Sequence, residues 1–593
     1  MAVFFDISLK IGKEEITEFI SLSLSQEMLA HHFLSVTVRR DYFENPLQPI
    51  FKVTQNLIGE SLKLSIQSPD KQKLEFIGVV HEIKTSRSES FSGDVIQINA
   101  YSPDILLSDV GHYTSFEAKT LNDVVEGVLG NYPLNAKKNI AASPNKSIHY
   151  VTQYSENGFS FLTRLAIRYG QWFLYDGTTL HFGSLPQKST QLEYKKDLFQ
   201  FEFSLKLNSF LYDFVAHDFM GNKYNEINSG QASPRVPKLS DPAYSKSDKV
   251  FKHQAYHYYQ GSHKDNGRYN ELSDEMQLSK AAAISNLMVC TGSTDNPSLT
   301  LGSMIEVIEN AEKDGSKQKL QHGRFIITRL NHHCDRNGNY QNDFIALPSD
   351  IESPPYTNPD LFAFAEPHSA LVTDNADPDA LGRVRVQFFW QKKDNLQTPW
   401  IRIAAPHGGK DKGFHFIPEV GEEVIVGFED GNSDKPYVLG TVYHGIDKPL
   451  KGWQSSDNDF KAIRTRSGHT VEFIDKSGKE EIQIYDGSKE NYTYSITLAS
   501  HSKKILIETK GDMEIKADNI RITANKDFEL KATDIKQNAS NNVEIEASSN
   551  VNLKATSKMS LDGGMQMAQK ASAKMTIDGG GQLEQKAGII KVN

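Results

Sequence analysis

Cysteine is almost absent from these 593 residues, Cys290 and Cys334 being the two in the chain. Two cysteines make no disulfide framework, and that points to synthesis in a reducing compartment. Proline is missing after Pro449, so every backbone amide beyond it can donate to a β-ladder. No stretch approaches the roughly eighteen consecutive apolar residues of a membrane span. The start, MAVFFDISLKIGKEE, has neither the basic nor the long apolar region of a signal peptide. These absences predict a protein made in the cytoplasm that, if it is exported, uses neither a cleaved signal nor an anchor of its own. A net charge of −10 argues against a nucleic-acid-binding surface. GxSxG, Walker-loop and CxxC signatures are also lacking.

The most informative stretch is the last, residues 505–593. Apolar residues recur at Ile505, Met513, Ile520, Phe528, Ile535, Val543, Val551, Met559, Met567, Met575 and Leu583, a spacing of eight with two steps of seven. A second apolar residue often follows two later, as at Ile507, Ile515, Ile522, Leu530, Ile545, Leu553, Leu561 and Ile577. Each unit therefore holds a short alternating strand with one apolar face. Four residues after the first apolar position stand Ala517, Ala524, Ala532, Ala539, Ala547, Ala555, Gly563, Ala571, Gly579 and Ala587, all small. A tiny residue at one phase of a fixed repeat predicts a tight corner once per unit. A disordered tail would not hold eleven apolar positions in phase. One eight-residue strand cannot cover its own apolar face, and single-chain β-helices need longer coils. The octad thus predicts three intertwined chains, each giving one side per layer, with Met513, Ile515, Ile520, Ile522, Phe528, Leu530, Val543, Ile545, Val551, Leu553, Met559, Leu561, Met575 and Ile577 in the core. At about 4.8 Å per layer, eleven octads give a needle of about 50 Å. Basic and acidic residues balance at twelve each over this stretch, which suits interleaved surface charges.

The remainder is long enough for several domains, and 38% hydrophobic residues are ample for their cores. Residues 1–111 read as an all-β domain, with strands at 61–66, 73–83 and 94–102. In 112–183, an α+β insertion, Thr120 and Asp123 form a capping box before an apolar face of Leu121, Val124, Val125, Val128 and Leu129. Ser155 and Glu156 are expected to open a second helix closed by Gly170, and Asp176-Gly177 marks a hairpin. A second β-domain spans 184–350, with strands at 199–207, 210–219, 303–310 and 323–334 and a helix near 271–288. The polar stretch 222–265 reads as a long peripheral loop. Proline-rich 351–366 reads as a linker. Short strands in 367–445 predict a small closed barrel of about five strands. Residues 446–504 form a neck leading to the octads.

Candidate chemistry is sparse. His253, His257 and His263 lie in a polar stretch without a supporting ligand at metal-binding spacing. In His332-His333-Cys334, neighbouring side chains of a strand point to opposite faces, so locally satisfied histidines are expected. The same alternation divides Glu422 from Glu423, against a paired-carboxylate glycosidase site. No cofactor and no catalysis are expected.

Several motifs carry a resemblance. The runs LGRVRV (381–386), WIRIA (400–404), IPEVGEEV (417–424) and DGNSDKP (430–436) resemble the OB-fold barrel of VgrG proteins and contractile-phage tail spikes. Upstream, YVTQYSE (150–156), FLTRLA (161–166) and YDGTTLHFG (175–183) resemble the hub of that family, and IRTRSGHTVEF (463–473) resembles the start of its β-needle. The resemblance implies a mainly β, multidomain fold: a hub of tube-like β-barrels with an α+β insertion, an OB-fold barrel, and a C-terminal intertwined trimeric β-helix or β-prism. It implies a homotrimeric hub and spike at the tip of a type VI secretion tube. Its partners would be an Hcp-like tube protein, baseplate proteins, a PAAR-repeat tip protein, and an effector or its adaptor. Such a spike assembles in the cytoplasm at a membrane-anchored baseplate, is then secreted, and meets the target membrane only in passing. The muramidase of phage spikes has no room between Gly445 and Ile463. The strand pattern runs to the last residue, so Gly588, Ile589, Ile590, Lys591, Val592 and Asn593 are expected to receive the tip protein. Two alternatives are the hub-spike of an extracellular contractile particle or phage tail and, with a longer coil period and an acidic groove, a β-helical polysaccharide-degrading enzyme.

Overall fold

A computed structural model describes residues 5–44, 51–86, 94–259, 270–313, 316–488 and 491–592, with side chains left out at 270, 271, 313, 316 and 317. The chain divides into two units, 1–456 and 457–593. In the first, strict alternation makes one-sided strands. Leu22 and Leu24 of Ser21–Glu27, Leu34, Val36 and Val38 of Phe33–Arg39, and Ile96 and Ile98 of Val95–Tyr101 all point into the core. These strands belong to a 13-stranded sheet that takes strands from both expected β-domains, though Tyr212–Asp218, within the strand expected at 210–219, lies outside it. The two halves meet where Ser21–Glu27 runs antiparallel to Ser316–Asp335, with Glu27 opposite Arg329 and Ser21 opposite Asp335. Each half keeps its own core, one around Leu34, Phe76 and Ile96 and the other around Leu192, Ile305 and Phe344.

The helix Leu121–Gly130 forms as its sequence predicts. Thr120 Oγ1 accepts from the Asp123 N–H at 3.2 Å, Asp123 Oδ2 accepts from the Thr120 N–H at 3.1 Å, and the five expected apolar residues are buried. The second helix, Gly158–Arg168, starts later than expected. Asn157, not Ser155, is its cap, accepting from the Ser160 N–H at 2.8 Å. Ser155 sits at φ +55° and Glu156 is drawn onto Arg164 at 2.8 Å, so neither can close the first turn. Gly170, at φ +61°, lets the chain leave the helix.

Residues 222–265 are not a loop where they are described. Lys223–Asn228 and Ala255–Tyr258 flank Tyr212–Asp218 in a three-stranded sheet, and Asp241–Val250 is helical. Phe214, Tyr259 and Met276 form the small core beneath this sheet, Met276 coming from the helix Asn270–Ser285. The linker expected at 351–366 is a strap tied to the hub. Tyr356 donates to the Gln171 carbonyl at 2.9 Å and accepts from the Phe173 N–H at 3.1 Å, while Ser285 Oγ donates to the Ser353 carbonyl at 2.7 Å.

Next come His368–Asp374, Arg385–Phe388, Glu423–Phe428 and Pro436–Thr441, a four-stranded sheet over Ala370, Val372, Val386, Val424, Val426 and Val438. Single bridges from Ile401 to Val384 and from Ile403 to Val438 close it into a barrel. The fifth strand is reduced to these bridges, since Pro399 and Pro406 bracket it and supply no N–H.

The second unit opens with a five-stranded antiparallel meander, Phe460–Arg464, Thr470–Ile474, Glu481–Tyr485, Tyr494–Ala499 and Lys504–Thr509. Its register stacks Ile463, Val471, Ile484, Ile496 and Ile507 in one cross-strand row and Phe473, Ile482, Leu498 and Ile505 in another. Beyond Thr509 no described residue pairs in a strand, contrary to the strands expected in the octads. A ladder needs a neighbour, and the described octads beyond Thr509 have none within the same chain.

Candidate functional site: the octad needle, and the joint between barrel and hub

In the octad region the backbone bends at Asp518, Asn525, Thr533, Ser540, Ser548, Thr556, Gly564, Ser572, Gly580 and Gly588. Each bend begins one residue after a small octad position, from Ala517 to Ala587. Two of the corners are tighter than the rest. Asp562 Oδ1 accepts from the Gly564 N–H at 3.0 Å and Asp578 Oδ1 from the Gly580 N–H at 2.9 Å, with both glycines at positive φ. A Cβ at Gly563 would come within 2.7 Å of the Gln566 carbonyl oxygen, and one at Gly579 within 2.6 Å of that of Gln582. Glycine is therefore a spatial requirement at these two corners, whereas alanine serves at the eight open bends.

Every described residue from 511 to 592 is exposed. The fourteen apolar residues assigned to a needle core are 48% to 72% exposed, the first of each pair less than the second. Full burial of such side chains contributes about 1.5–3 kcal/mol each, so one chain alone forgoes tens of kcal/mol. At the end, Ile589 and Val592 are more exposed still, at 78% and 88%. Gly588, Ile590 and Lys591 are also exposed, and Asn593 lies outside the described residues.

The barrel is fastened to the hub through polar groups. Asp434 Oδ1 accepts from the Thr152 N–H at 2.8 Å and from its hydroxyl at 3.0 Å, while Oδ2 accepts from Arg168 at 2.6 Å. Arg168 and Asp434 are both buried, so each depends on the other for its charge. Gln391 donates to Ser115 Oγ at 2.7 Å, Arg385 pairs with Glu117, and Tyr154 bonds His368. Within the barrel, Arg383 grips Asp377 at 2.8 and 3.1 Å and holds that carboxyl well below the usual carboxylate range. The sequence pattern marked DGNSDKP as informative without showing that Asp434 would be buried against a helix 266 residues earlier.

The remaining candidates stay apart. His253 and His257 are exposed, and His263 lies outside the described residues. His332 and Cys334 are buried and His333 is exposed, as strand alternation requires. Glu422 is exposed and Glu423 half-buried. Among the described residues no group of three or more His, Cys, Asp or Glu is placed to hold a metal.

Residues 51–338 match the family described as phage tail baseplate hub (GPD), and residues 368–443 match the type VI secretion system/phage-baseplate injector OB domain. The spike protein VgrG5 of Pseudomonas aeruginosa is 25% identical over 427 residues, 62% of this chain and 50% of its own length. VgrG1a of the same organism is 22% identical over 492 residues, 74% of this chain and 71% of its own. The chain thus spans about half the length of VgrG5. A solved Francisella PdpA–VgrG complex has the same fold at a TM-score of 0.54 and 10% identity, over 86% of this chain and 80% of that one. A baseplate hub followed by an injector OB barrel defines the hub-spike class of contractile injection proteins. Within that class the hub and barrel of this chain are similar to those of the VgrG spike proteins.

Proposed function

We propose that three copies of the chain form the hub and spike of a type VI secretion machine, with residues 505–593 as one side of a three-sided needle. The observation that carries this reading is the agreement of three independent phases. A corner follows each small octad residue, an apolar pair recurs in the octads between corners, and that pair is uncovered in a single chain. Three chains winding together would satisfy the backbone and cover the apolar stripe at once, leaving no free lateral edge. The fourteen octad residues then form the needle core. Residues 588–593 receive a PAAR-type tip protein, the hub seats on an Hcp-like tube within the baseplate, and an effector or its adaptor rides on the assembly. The role is mechanical: an external sheath supplies the force, and the chain transmits it without catalysing a reaction. It is assembled in the cytoplasm and then secreted; among the described residues no helix is long and apolar enough to cross a membrane.

The relatives described as type VI secretion spikes favour this reading over an extracellular contractile particle. A Vibrio cholerae relative described as an actin cross-linking toxin matches only 24% of this chain and 14% of itself, so its activity is that protein's own. Export from a producing cell tests the proposal. Wild-type chain should reach the medium only when the sheath can contract, and Ile545→Asp with Leu553→Asp should stay inside. Export independent of contraction would contradict it. Removal of 588–593 should weaken capture of the tip protein while trimers persist, and normal capture would refute that assignment.

A further inference from the structure

A chain of five buried polar side chains crosses the seam of the hub sheet, and the direction of every link can be assigned. Asn342 Nδ2 is fixed as a donor because it reaches the Asn296 backbone carbonyl at 2.9 Å, and it also donates to Tyr340 Oη at 2.9 Å. The Tyr340 hydroxyl proton is left for His332 Nδ1 at 2.6 Å. With Nδ1 accepting, the proton of neutral His332 is on Nε2 and goes to Gln26 Oε1 at 3.0 Å. The Gln26 amide nitrogen then faces His32 Nδ1, again at 3.0 Å. Gln26, His32, His332 and Asn342 are fully buried and Tyr340 nearly so. Gln26 stands on Ser21–Glu27 and His332 on Ser316–Asp335, which form the one strand pairing that joins the two halves of the sheet among the described residues.

We propose that this chain is an acid-sensitive latch: the seam between the halves of the hub is held while both imidazoles are neutral, and a proton on either one loosens it. On His332 the proton must go to Nδ1, against the hydroxyl proton of a tyrosine whose oxygen already takes Asn342. On His32 it must go to Nδ1, against the Gln26 N–H. Turning the Gln26 amide to suit His32 would set its N–H groups against His332 Nε2–H, so the chain has no relaxed charged form.

The surroundings do not offset this. His32 is faced by Asp104, Asp176, His31 and the Tyr175 ring. Asp104 already accepts from Ser102, and Asp176 from His181 and the Thr178 and Thr179 amides. His332 is faced by His333, His32 and Tyr340; Tyr340 in turn has Cys334 and Asp295 nearby. Burial wins at both sites, pushing His32 down to about 4 and His332 down to about 3. An opened seam returns both to about 6.5. The folded values are the lower ones, so the latch is at full strength above about pH 6.5 and weakens as the pH falls towards 4. Between pH 7 and pH 5 each imidazole favours the open seam by on the order of 20-fold. At the exposed rim, Arg329 with Glu27 and Ser25 with Asn331 add little.

Amide hydrogen exchange of the full-length protein, corrected for intrinsic rates, tests the latch. From pH 7 to pH 5, amides in 21–27 and 329–335 should lose protection by at least about tenfold, while 61–67 and 73–79 keep theirs. Unchanged protection at the seam, or equal loss in all four strands, would overturn the proposal. In His32→Asn with His332→Gln, amide groups replace the ring nitrogens without titrating, so seam protection should survive at pH 5. Opening of that variant at the wild-type pH would equally overturn it. Where the variant does not fold, the four-strand comparison in the wild-type protein is decisive by itself.

Discussion

The two regions of this molecule use apolar residues in opposite ways. In the hub, Leu34, Val36, Ile96 and Ile98 alternate along their strands and are fully covered by the same chain. In the octads, Ile520, Ile522, Val543 and Ile545 are as regularly spaced, and more than half of each is exposed. The hub strands have partners within the chain, and among the described residues the octads beyond Thr509 have none. Regular apolar spacing therefore shows only that a face will be buried. Whether the cover is internal or another molecule depends on how many residues each turn of the chain contains.

The largest expected break in this comparison comes from charging the octad face. Ile545→Asp with Leu553→Asp would set six carboxylates inside a three-chain core, and light scattering should show monomers where wild type assembles. The same change on a self-sufficient needle would leave the mass unaltered. Next is the joint between barrel and hub: Arg168→Ala strands Asp434 in a buried site and should cost about 3–5 kcal/mol in the unfolding of residues 1–456. Thermal melts against a surface arginine variant such as Arg324→Ala measure it. A smaller effect is expected at the tight corners. Gly563→Ala or Gly579→Ala should lower needle stability by about 1–3 kcal/mol per chain, while Ala547→Gly costs about 1 kcal/mol or less. Protease resistance of 505–593 compares the three. The smallest concerns Asp377. Its folded value is depressed by Arg383, so its contribution is complete above about pH 4 and lost as the pH falls below that. Asp377→Asn should flatten the acid limb of the barrel's stability profile and leave the neutral-to-alkaline limb parallel to wild type.

Much of this was legible in the sequence where the controlling interactions are local. Thr120 and Asp123 are three residues apart and set the helix start, and the octad corners need only one small residue each. Long-range features were hidden. Gln26 and His332 meet across 306 residues, so nothing near either position announces that two expected β-domains share one sheet. The peripheral sheet is hard to read because its elements are polar: Lys223–Asn228 reads KYNEIN, and the helix Asp241–Val250 buries only Ala243 and Ser247. The strap at 351–366 has the proline content of a linker, but Tyr356 and Ser353 fasten it through contacts that composition does not record. At the needle, the sequence exposes the period, and the single chain exposes the apolar stripe that the period builds.

The most direct test of the central claim is the mass of the full chain in solution. The account predicts a species three times the 66.5 kDa of one chain, with 505–593 protected from protease. A monomer in which 505–593 is folded and protease-resistant would contradict it.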